Sequence, residues 1–91
     1  MPFPQQAPQP FTRDVVARLA DGQKGVFGLF RPGTWVYIGK GDIKAELKSI
    51  LGGSNDCIGK QNPTHFVTVI IGNMDAAVAQ LIKETQPTCT D

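Results

Sequence analysis

Residues 24–51 read KGVFGLFRPGTWVYIGKGDIKAELKSIL. The first part of this segment is rich in aromatic and β-branched residues, and Pro32-Gly33 divides it into two runs, 24–31 and 35–40, that are typical of a β-hairpin. Asp42 then begins a segment with helical spacing of its apolar residues, and aspartate is a residue type that caps helices. The segment therefore predicts two antiparallel strands followed directly by a helix.

The turn of this hairpin decides which side chains share a face of the sheet. A two-residue loop of type I′ needs positive φ at both central positions, which proline cannot adopt. We therefore expect a three-residue loop in which Arg31 pairs with Trp35. This register places four side chains on one face, those of Phe27, Leu29, Trp35 and Tyr37, and a shift by one residue would reverse one strand's faces.

The helix after the hairpin is predicted over residues 43–51. Its apolar residues fall at spacings of four, seven and eight from the first, and they are Ile43, Leu47, Ile50 and Leu51. Gly52-Gly53 ends the helix. Lys44 and Lys48 lie one turn apart on a flank that we expect to be exposed.

The rest of the chain predicts one helix before the hairpin and a strand and a helix after it. Thr12 caps a short helix that continues through Ala20, and residues 53–63 form a polar loop. HFVTVII, residues 65–71, is a strand by its β-branched content, and a last helix covers residues 75–85. The predicted fold is α+β in the order α-β-β-α-β-α, with a three-stranded, mainly antiparallel sheet and flanking helices.

The chain of 91 residues is long enough for one small domain. Residues 1–10, MPFPQQAPQP, lack apolar periodicity, so we expect a disordered tail there and a single domain over residues 11–91. The sequence contains neither an apolar run of membrane-spanning length nor a secretory pattern, which favours a cytoplasmic protein. Cys57 and Cys89 have neither metal-site spacing nor the density of a disulfide framework, so we expect reduced thiols.

The net charge of +1 weighs against strong binding of nucleic acid. Residues 24–48 are more basic, with five bases against two acids and a local charge of +3. The ordinary explanation of such a basic segment is that its charged side chains are solvated on the surface of strands and a helix. Its tryptophan, Trp35, is either a core residue or a platform on which nucleic-acid bases stack. The candidate binding residues are these bases and this aromatic: Lys24, Arg31, Trp35, Lys40, Lys44 and Lys48.

Two triplets in the hairpin resemble the signature of the GIY-YIG nuclease domain. Residues 25–27 read Gly-Val-Phe, with Phe27 where the family has its first tyrosine, and residues 37–39 read Tyr-Ile-Gly. The helix that follows, and Pro87 after the last predicted helix, extend the resemblance over residues 24–91. The resemblance implies the family's fold, a hairpin followed by a helix, a strand and a helix.

The resemblance also implies where a nuclease site would lie. The family positions the attacking water with tyrosines, holds the phosphate with an arginine on the helix after the second triplet, and binds a divalent metal with a glutamate on the last helix. Tyr37 matches the second tyrosine, whereas Glu46 falls at the arginine position and Val78 at the glutamate position. Ile50 and Thr90 fall at two further positions, where the family has a His or Tyr and an Asn.

The resemblance therefore implies a degenerate active site, since a carboxylate would repel the phosphate and the metal ligand is missing. Tyr37 is the one catalytic candidate, and neither a metal nor another cofactor is expected. The leading hypothesis is a binding module for DNA, RNA or a protein, without enzymatic activity. The first alternative is a divergent Mg²⁺-dependent endonuclease that uses Tyr37, Lys40 and either Glu46 or Glu84. The second is a structural domain that forms a homodimer through an open sheet edge.

Overall fold

The computed structural model describes residues 8–89, which contain four strands and four helices. In chain order these are β1 (Gln9–Pro10), α1 (Arg13–Ala17), β2 (Lys24–Arg31), β3 (Thr34–Asp42), α2 (Ile43–Leu51), α3 (Asp56–Gln61), β4 (His65–Val69) and α4 (Met74–Thr85). The strands form one antiparallel sheet in the order β1-β4-β2-β3. The α+β class and the antiparallel sheet are confirmed, but the sheet has four strands where three were predicted.

The additional strand comes from the segment that was predicted as a disordered tail. Gln9 pairs with Phe66 and Pro10 pairs with His65, so the structure corrects the prediction for residues 9 and 10. Residues 1–7 lie outside the described part of the chain. Phe11 helps to hold this strand in place, because its ring packs edge-on against that of Phe66 with 6.2 Å between the ring centroids. The domain boundary at residue 11 stays a prediction.

The turn between β2 and β3 contains two residues, so the predicted three-residue loop is wrong. Arg31 pairs with Thr34 and not with Trp35. Pro32 and Gly33 occupy the central positions, and Gly33 has a φ of +80°, which is the combination that favours a type II turn. This turn needs positive φ at its second central position alone, so a proline fits at the first.

A bulge in β3 restores the predicted face for one of the two strand aromatics. Phe30 pairs with Trp35, but the next residue of β2, Leu29, pairs with Tyr37, so Val36 is an extra residue in β3. Leu29 and Tyr37 consequently pack on the same side of the sheet, as predicted. Trp35 packs on the opposite side with Phe30, so its predicted face is wrong.

The sheet separates two hydrophobic clusters. On one side, the helices α1, α2 and α3 cover a buried cluster that contains Val16, Phe27, Leu29, Val36, Ile43, Leu47, Ile58, Phe66 and Cys89. On the other side, α4 covers a smaller cluster that contains Val26, Ile38, Val67 and Leu81. The apolar stripe predicted for residues 43–51 is confirmed, and α2 has these same bounds. Among the described helices, none has the length and apolar character needed to cross a membrane.

The helix α3 lies inside the segment 53–63 that was predicted as a polar loop. Asn55 caps this helix, because its side-chain oxygen accepts a hydrogen bond of 3.1 Å from the backbone N–H of Ile58. Ile58 is the buried residue of the helix. A six-residue helix with a single core side chain has no apolar periodicity, so the sequence pattern could not reveal it.

Several predicted boundaries also move, including both ends of β3, which was predicted over residues 35–40 and spans Thr34–Asp42. The first helix ends at Ala17 instead of Ala20, although Thr12 caps it as predicted by accepting a 3.4 Å hydrogen bond from the N–H of Val15. The strand β4 ends at Val69, two residues before the predicted limit, and α4 begins at residue 74 instead of 75. Helix and strand ends depend on tertiary partners as well as on local sequence, so shifts of this size are expected.

Cys57 and Cys89 form a disulfide, with 5.8 Å between their Cα atoms, so the prediction of reduced thiols is wrong for this structure. The two cysteines are 32 residues apart, and only the fold brings them together. The bond ties α3 to the segment after α4. In that segment, the N–H groups of Thr88 and Cys89 donate to the carbonyl oxygens of Trp35 and Val36 at 3.0 and 2.7 Å. The segment after α4 therefore covers part of the outer edge of β3.

Candidate functional site

A cleft of about 570 Å³ lies between β3, α2 and α4. Seven residues line it, namely Tyr37, Ile38, Gly39, Lys40, Glu46, Val78 and Ile82. Three of them, Tyr37, Glu46 and Val78, are the residues that the sequence resemblance places at the family's tyrosine, arginine and metal-ligand positions. The fold thus brings these three positions to one cleft, although they come from three different elements.

Close packing in the sheet positions Tyr37. Its ring lies beside that of Phe27, with 6.1 Å between the ring centroids. Gly39 lies against both rings, because a Cβ atom at this position would come within 2.5 Å of the Phe27 ring and 2.7 Å of the Tyr37 ring. Phe27 is only 1% exposed and has no hydroxyl, so Tyr37 is the one signature aromatic that brings a phenol to the cleft.

The first turn of α2 positions Glu46. Asp42 begins this helix by accepting a 3.2 Å hydrogen bond from the N–H of Ala45. Glu46 follows in the first turn, with one carboxylate oxygen 3.4 Å from where a Cβ atom of Gly41 would lie. Within residues 8–89, the Glu46 carboxylate has no hydrogen bond or ion pair. The cleft therefore contains an acid whose charge no neighbouring side chain in the described part of the chain compensates.

Lys40 lies on the β3 side of the cleft and forms an ion pair with Asp75 in the first turn of α4. The two side chains are 48% and 81% exposed, so a pair of this kind contributes about 1 kcal/mol or less to stability. The pair has a larger effect on the charge of the cleft. Lys40 is the one basic residue among those lining the cleft, and Asp75 compensates its positive charge. Sequence reasoning missed Asp75, since only the packing of α4 against β3 brings it to Lys40.

Lys44 and Lys48 lie away from the cleft, beside Asp21. The Lys44 ammonium is 2.9 Å from a carboxylate oxygen of Asp21, and its side chain is only 15% exposed, so the flank predicted as exposed is largely covered at this residue. The hydrogen bond from Lys44, with its charge, lowers the pKa of Asp21, and the charge of Lys48 adds a smaller lowering.

Of the other candidate binding residues, Lys24 and Arg31 lie at opposite ends of β2, and Trp35 lies in β3. Lys24 begins β2 and Arg31 ends it, which separates them by about 23 Å at the usual rise of a strand. The Arg31 guanidinium donates to the side-chain oxygen of Gln61 at 3.4 Å. Trp35 is half-buried beside Phe30, with 5.1 Å between the ring centroids. Lys24 and Arg31 therefore do not belong to one compact cluster, and the binding role of the six residues stays a prediction.

The donor atoms of the cleft do not fit the family's metal site. Val78, which the sequence resemblance places at the position of the metal-binding glutamate, has no donor atom in its side chain. The one carboxylate in the cleft is that of Glu46, on the helix where the family has its arginine. Mg²⁺ requires near-octahedral oxygen coordination. Across residues 8–89, no group of three or more His, Cys, Asp and Glu side chains is suited to a metal ion.

The remaining positions considered from the sequence do not complete the site. Glu84 lines a separate groove between β4 and α4 and accepts a 3.1 Å hydrogen bond from the Gln80 side chain. Ile50 is half-buried against the core beneath α2. Thr90 lies outside the described residues. Ile82, which sequence reasoning did not assign to the site, adds an apolar side chain to the cleft from α4.

No family model matches the sequence, and no curated protein matches it. Solved structures of the GIY-YIG N-terminal endonuclease domain of UvrC from Thermotoga maritima do match. With its catalytic magnesium bound, that domain matches at a TM-score of 0.67 and 23% identity, over 85% of this chain and 97% of that chain.

A point mutant of the same UvrC domain, also bound to its divalent cation, gives a TM-score of 0.69 at 22% identity, over 88% of this chain and all of that chain. At this level of identity the likeness establishes a shared fold. The chain therefore has a GIY-YIG-like fold, as the two triplets of the hairpin implied.

Proposed function

We propose that this chain is a GIY-YIG-like binding module that does not cleave phosphodiester bonds, and that its binding site is the cleft between β3, α2 and α4. The observation that carries the proposal is the combination of Glu46 and Val78 on that cleft. The first is an acid in place of the cation that would hold a phosphate, and the second is an apolar residue in place of a metal ligand.

The chemistry of phosphodiester cleavage supports this proposal. Removing one preorganised electrostatic group from an active site costs roughly 10²–10³-fold in rate. Here the phosphate would meet the unpaired carboxylate of Glu46, so the electrostatic effect changes sign and does not merely vanish. The phenol of Tyr37 remains, but a phenol alone neither neutralises charge on a phosphate nor generates hydroxide at neutral pH.

The placement of the basic residues favours a protein as the partner. Lys40 and Lys44 are engaged in ion pairs with Asp75 and Asp21, and Lys24 is a strand length away from Arg31. A nucleic-acid surface needs cations that follow the phosphate backbone. We therefore expect weak, strongly salt-dependent binding of DNA or RNA.

The divergent endonuclease remains the second candidate, because the fold is shared with the UvrC endonuclease domain and because Tyr37 and Glu46 lie on one cleft. Such an enzyme would need Glu46 to hold the metal from α2, whereas the family's metal-binding glutamate lies on the last helix. A homodimer through an open sheet edge receives less support, since Thr88 and Cys89 cover part of the outer edge of β3.

The test is a cleavage assay with labelled single-stranded DNA, duplex DNA, branched DNA and structured RNA, in Mg²⁺ and in Mn²⁺. Fluorescence anisotropy on the same panel at about 50 and 200 mM salt measures binding alone. We expect no metal-dependent product from the wild-type chain. Metal-dependent cleavage that the Tyr37→Phe variant loses would overturn the proposal in favour of the endonuclease.

A further inference from the structure

We propose that the cleft accepts a basic side chain, preferably an arginine, from an extended segment of a protein partner. This inference rests on the proposed binding function and names its ligand. It starts from the charge of Glu46, which lines the cleft without a partner among the described residues. The resemblance places Glu46 where the family has the arginine that holds a phosphate, so the change of sign at this residue favours a cationic ligand there.

The charges around the cleft support a cation over an anion. Lys40 is paired with Asp75, so these two charges compensate each other at the rim. Glu46 then leaves the cleft with a net charge of −1, counted over these three side chains. A phosphate or carboxylate ligand would be repelled, whereas a guanidinium or ammonium would form a charge-assisted hydrogen bond to Glu46.

The walls of the cleft suit the shape of a long basic side chain. Ile38, Val78 and Ile82 supply apolar surface from β3 and α4. Arginine and lysine place their aliphatic stems along such surfaces while the charged group reaches a polar partner. The Tyr37 ring lines the same cleft, and an aromatic ring within about 6 Å attracts a cation through its π-face.

Arginine fits these features better than lysine. A guanidinium is planar, so it can stack on an aromatic ring and also donate two parallel hydrogen bonds to a carboxylate. Tyr37 and Glu46 together offer both kinds of partner on one cleft. The cleft volume of about 570 Å³ admits more than one side chain, which is consistent with a segment of a protein.

The experiment is an NMR titration of the ¹⁵N-labelled chain with a blocked Gly-Arg-Gly tripeptide. Matched tripeptides with citrulline, lysine or glutamate in the centre isolate the effects of charge and shape. We expect saturable shifts at the amides of Gly39, Lys40 and Val78 with the arginine peptide, smaller shifts with lysine, and none with citrulline or glutamate.

The matched variants are Glu46→Gln, which removes the charge inside the cleft, and Glu84→Gln, which removes a charge of the same sign in another groove. Glu46→Gln should weaken arginine-peptide binding by about tenfold or more, since a charge-assisted hydrogen bond is lost. Glu84→Gln should leave it unchanged. The amide spectrum of each free variant shows whether the fold is intact.

The possible results separate this inference from the proposed function. Equal binding of the arginine and citrulline peptides, or no loss in Glu46→Gln, would overturn the arginine site while leaving a non-cleaving module in place. Saturable binding of inorganic phosphate or a short oligonucleotide at Gly39 and Val78, without binding of the arginine peptide, would do the same. Metal-dependent cleavage of nucleic acid would instead remove the proposed function itself.

Discussion

The ring of Tyr37 lies beside that of Phe27, 6.1 Å away between ring centroids, and the backbone of Gly39 passes against both. Each of the three residues belongs to one of the two signature triplets, so the signature also describes a packing unit of the hairpin. Its glycine is required by space, because the rings occupy the volume that a side chain would need. Tyr37 and Gly39 of this unit line one cleft together with Glu46 and Val78.

The substitution Gly39→Ala should destabilise the fold by about 1–3 kcal/mol, because the added methyl group overlaps both rings. Gly59→Ala is the matched control, since a methyl group at that helical position meets nothing within 4 Å and alanine favours a helix. Urea unfolding followed by circular dichroism measures both. Equal stability of the two variants would show that the rings give way without cost.

Reducing the Cys57–Cys89 disulfide should lower the free energy of unfolding by about 3–4 kcal/mol, as expected for closing a loop across a separation of 32 residues. Urea unfolding with and without dithiothreitol measures the change. Cys57→Ser is the control, because Cys57 is exposed and the variant should unfold identically under both conditions. Two titratable thiols in the native, unreduced protein would contradict this prediction.

The Asp21–Lys44 pair should make stability depend on pH at the acid end. The Lys44 hydrogen bond and charge lower the pKa of Asp21 below its ordinary 3.8, so the folded chain binds a proton at this site less readily than the unfolded chain does. The stabilising effect is thus present above about pH 4 and is lost as pH falls through the lowered pKa. NMR titration of the Asp21 carboxyl checks the direction.

Lys44→Met is the variant for this pair. It should return the Asp21 pKa toward 3.8 and remove this site's part of the acid sensitivity. A wild-type Asp21 that already titrates at its ordinary value would mean that the ion pair is not formed in solution.

The substitution Asn55→Ala should destabilise the chain by about 1 kcal/mol, because it removes the cap that accepts a hydrogen bond from the Ile58 N–H. Asn73→Ala is a matched control, since Asn73 precedes α4 without a side-chain cap bond. In thermal unfolding, the melting temperature should fall more for Asn55→Ala than for Asn73→Ala. The reverse order would indicate that α3 contributes little to the stability of the domain.

The parts of the fold that were predicted correctly depend on local pattern. The helix α2 has its predicted bounds because an Asp42 cap and a regular apolar stripe act within ten residues of chain. The shared cleft of Tyr37, Glu46 and Val78 agrees with the positions taken from the family resemblance. Three positions drawn from separate elements can be located this way only through a known fold.

The failures of prediction involve partners distant in sequence or a choice of turn. The type II turn at Pro32 and the bulge at Val36 determine the face of the sheet on which Trp35 lies. Neither feature produces a hydrophobic periodicity that could be recognised in the sequence. The Lys40–Asp75 pair depends on how α4 packs against β3, so the basic segment that sequence suggested as a binding surface is partly neutralised.

The disulfide has a consequence for the cell compartment and for handling of the protein. Disulfides persist in oxidising surroundings and are rare in a cytoplasm, and the cytoplasmic location expected from sequence stays a prediction. Reduction removes the covalent tether of Cys89 to α3, and cleavage after Thr85 would then release Thr88 and Cys89 from the carbonyls of Trp35 and Val36. An exposed strand edge of this kind recruits further chains. A chain that stays monomeric when oxidised would then aggregate once it is both reduced and cleaved after Thr85.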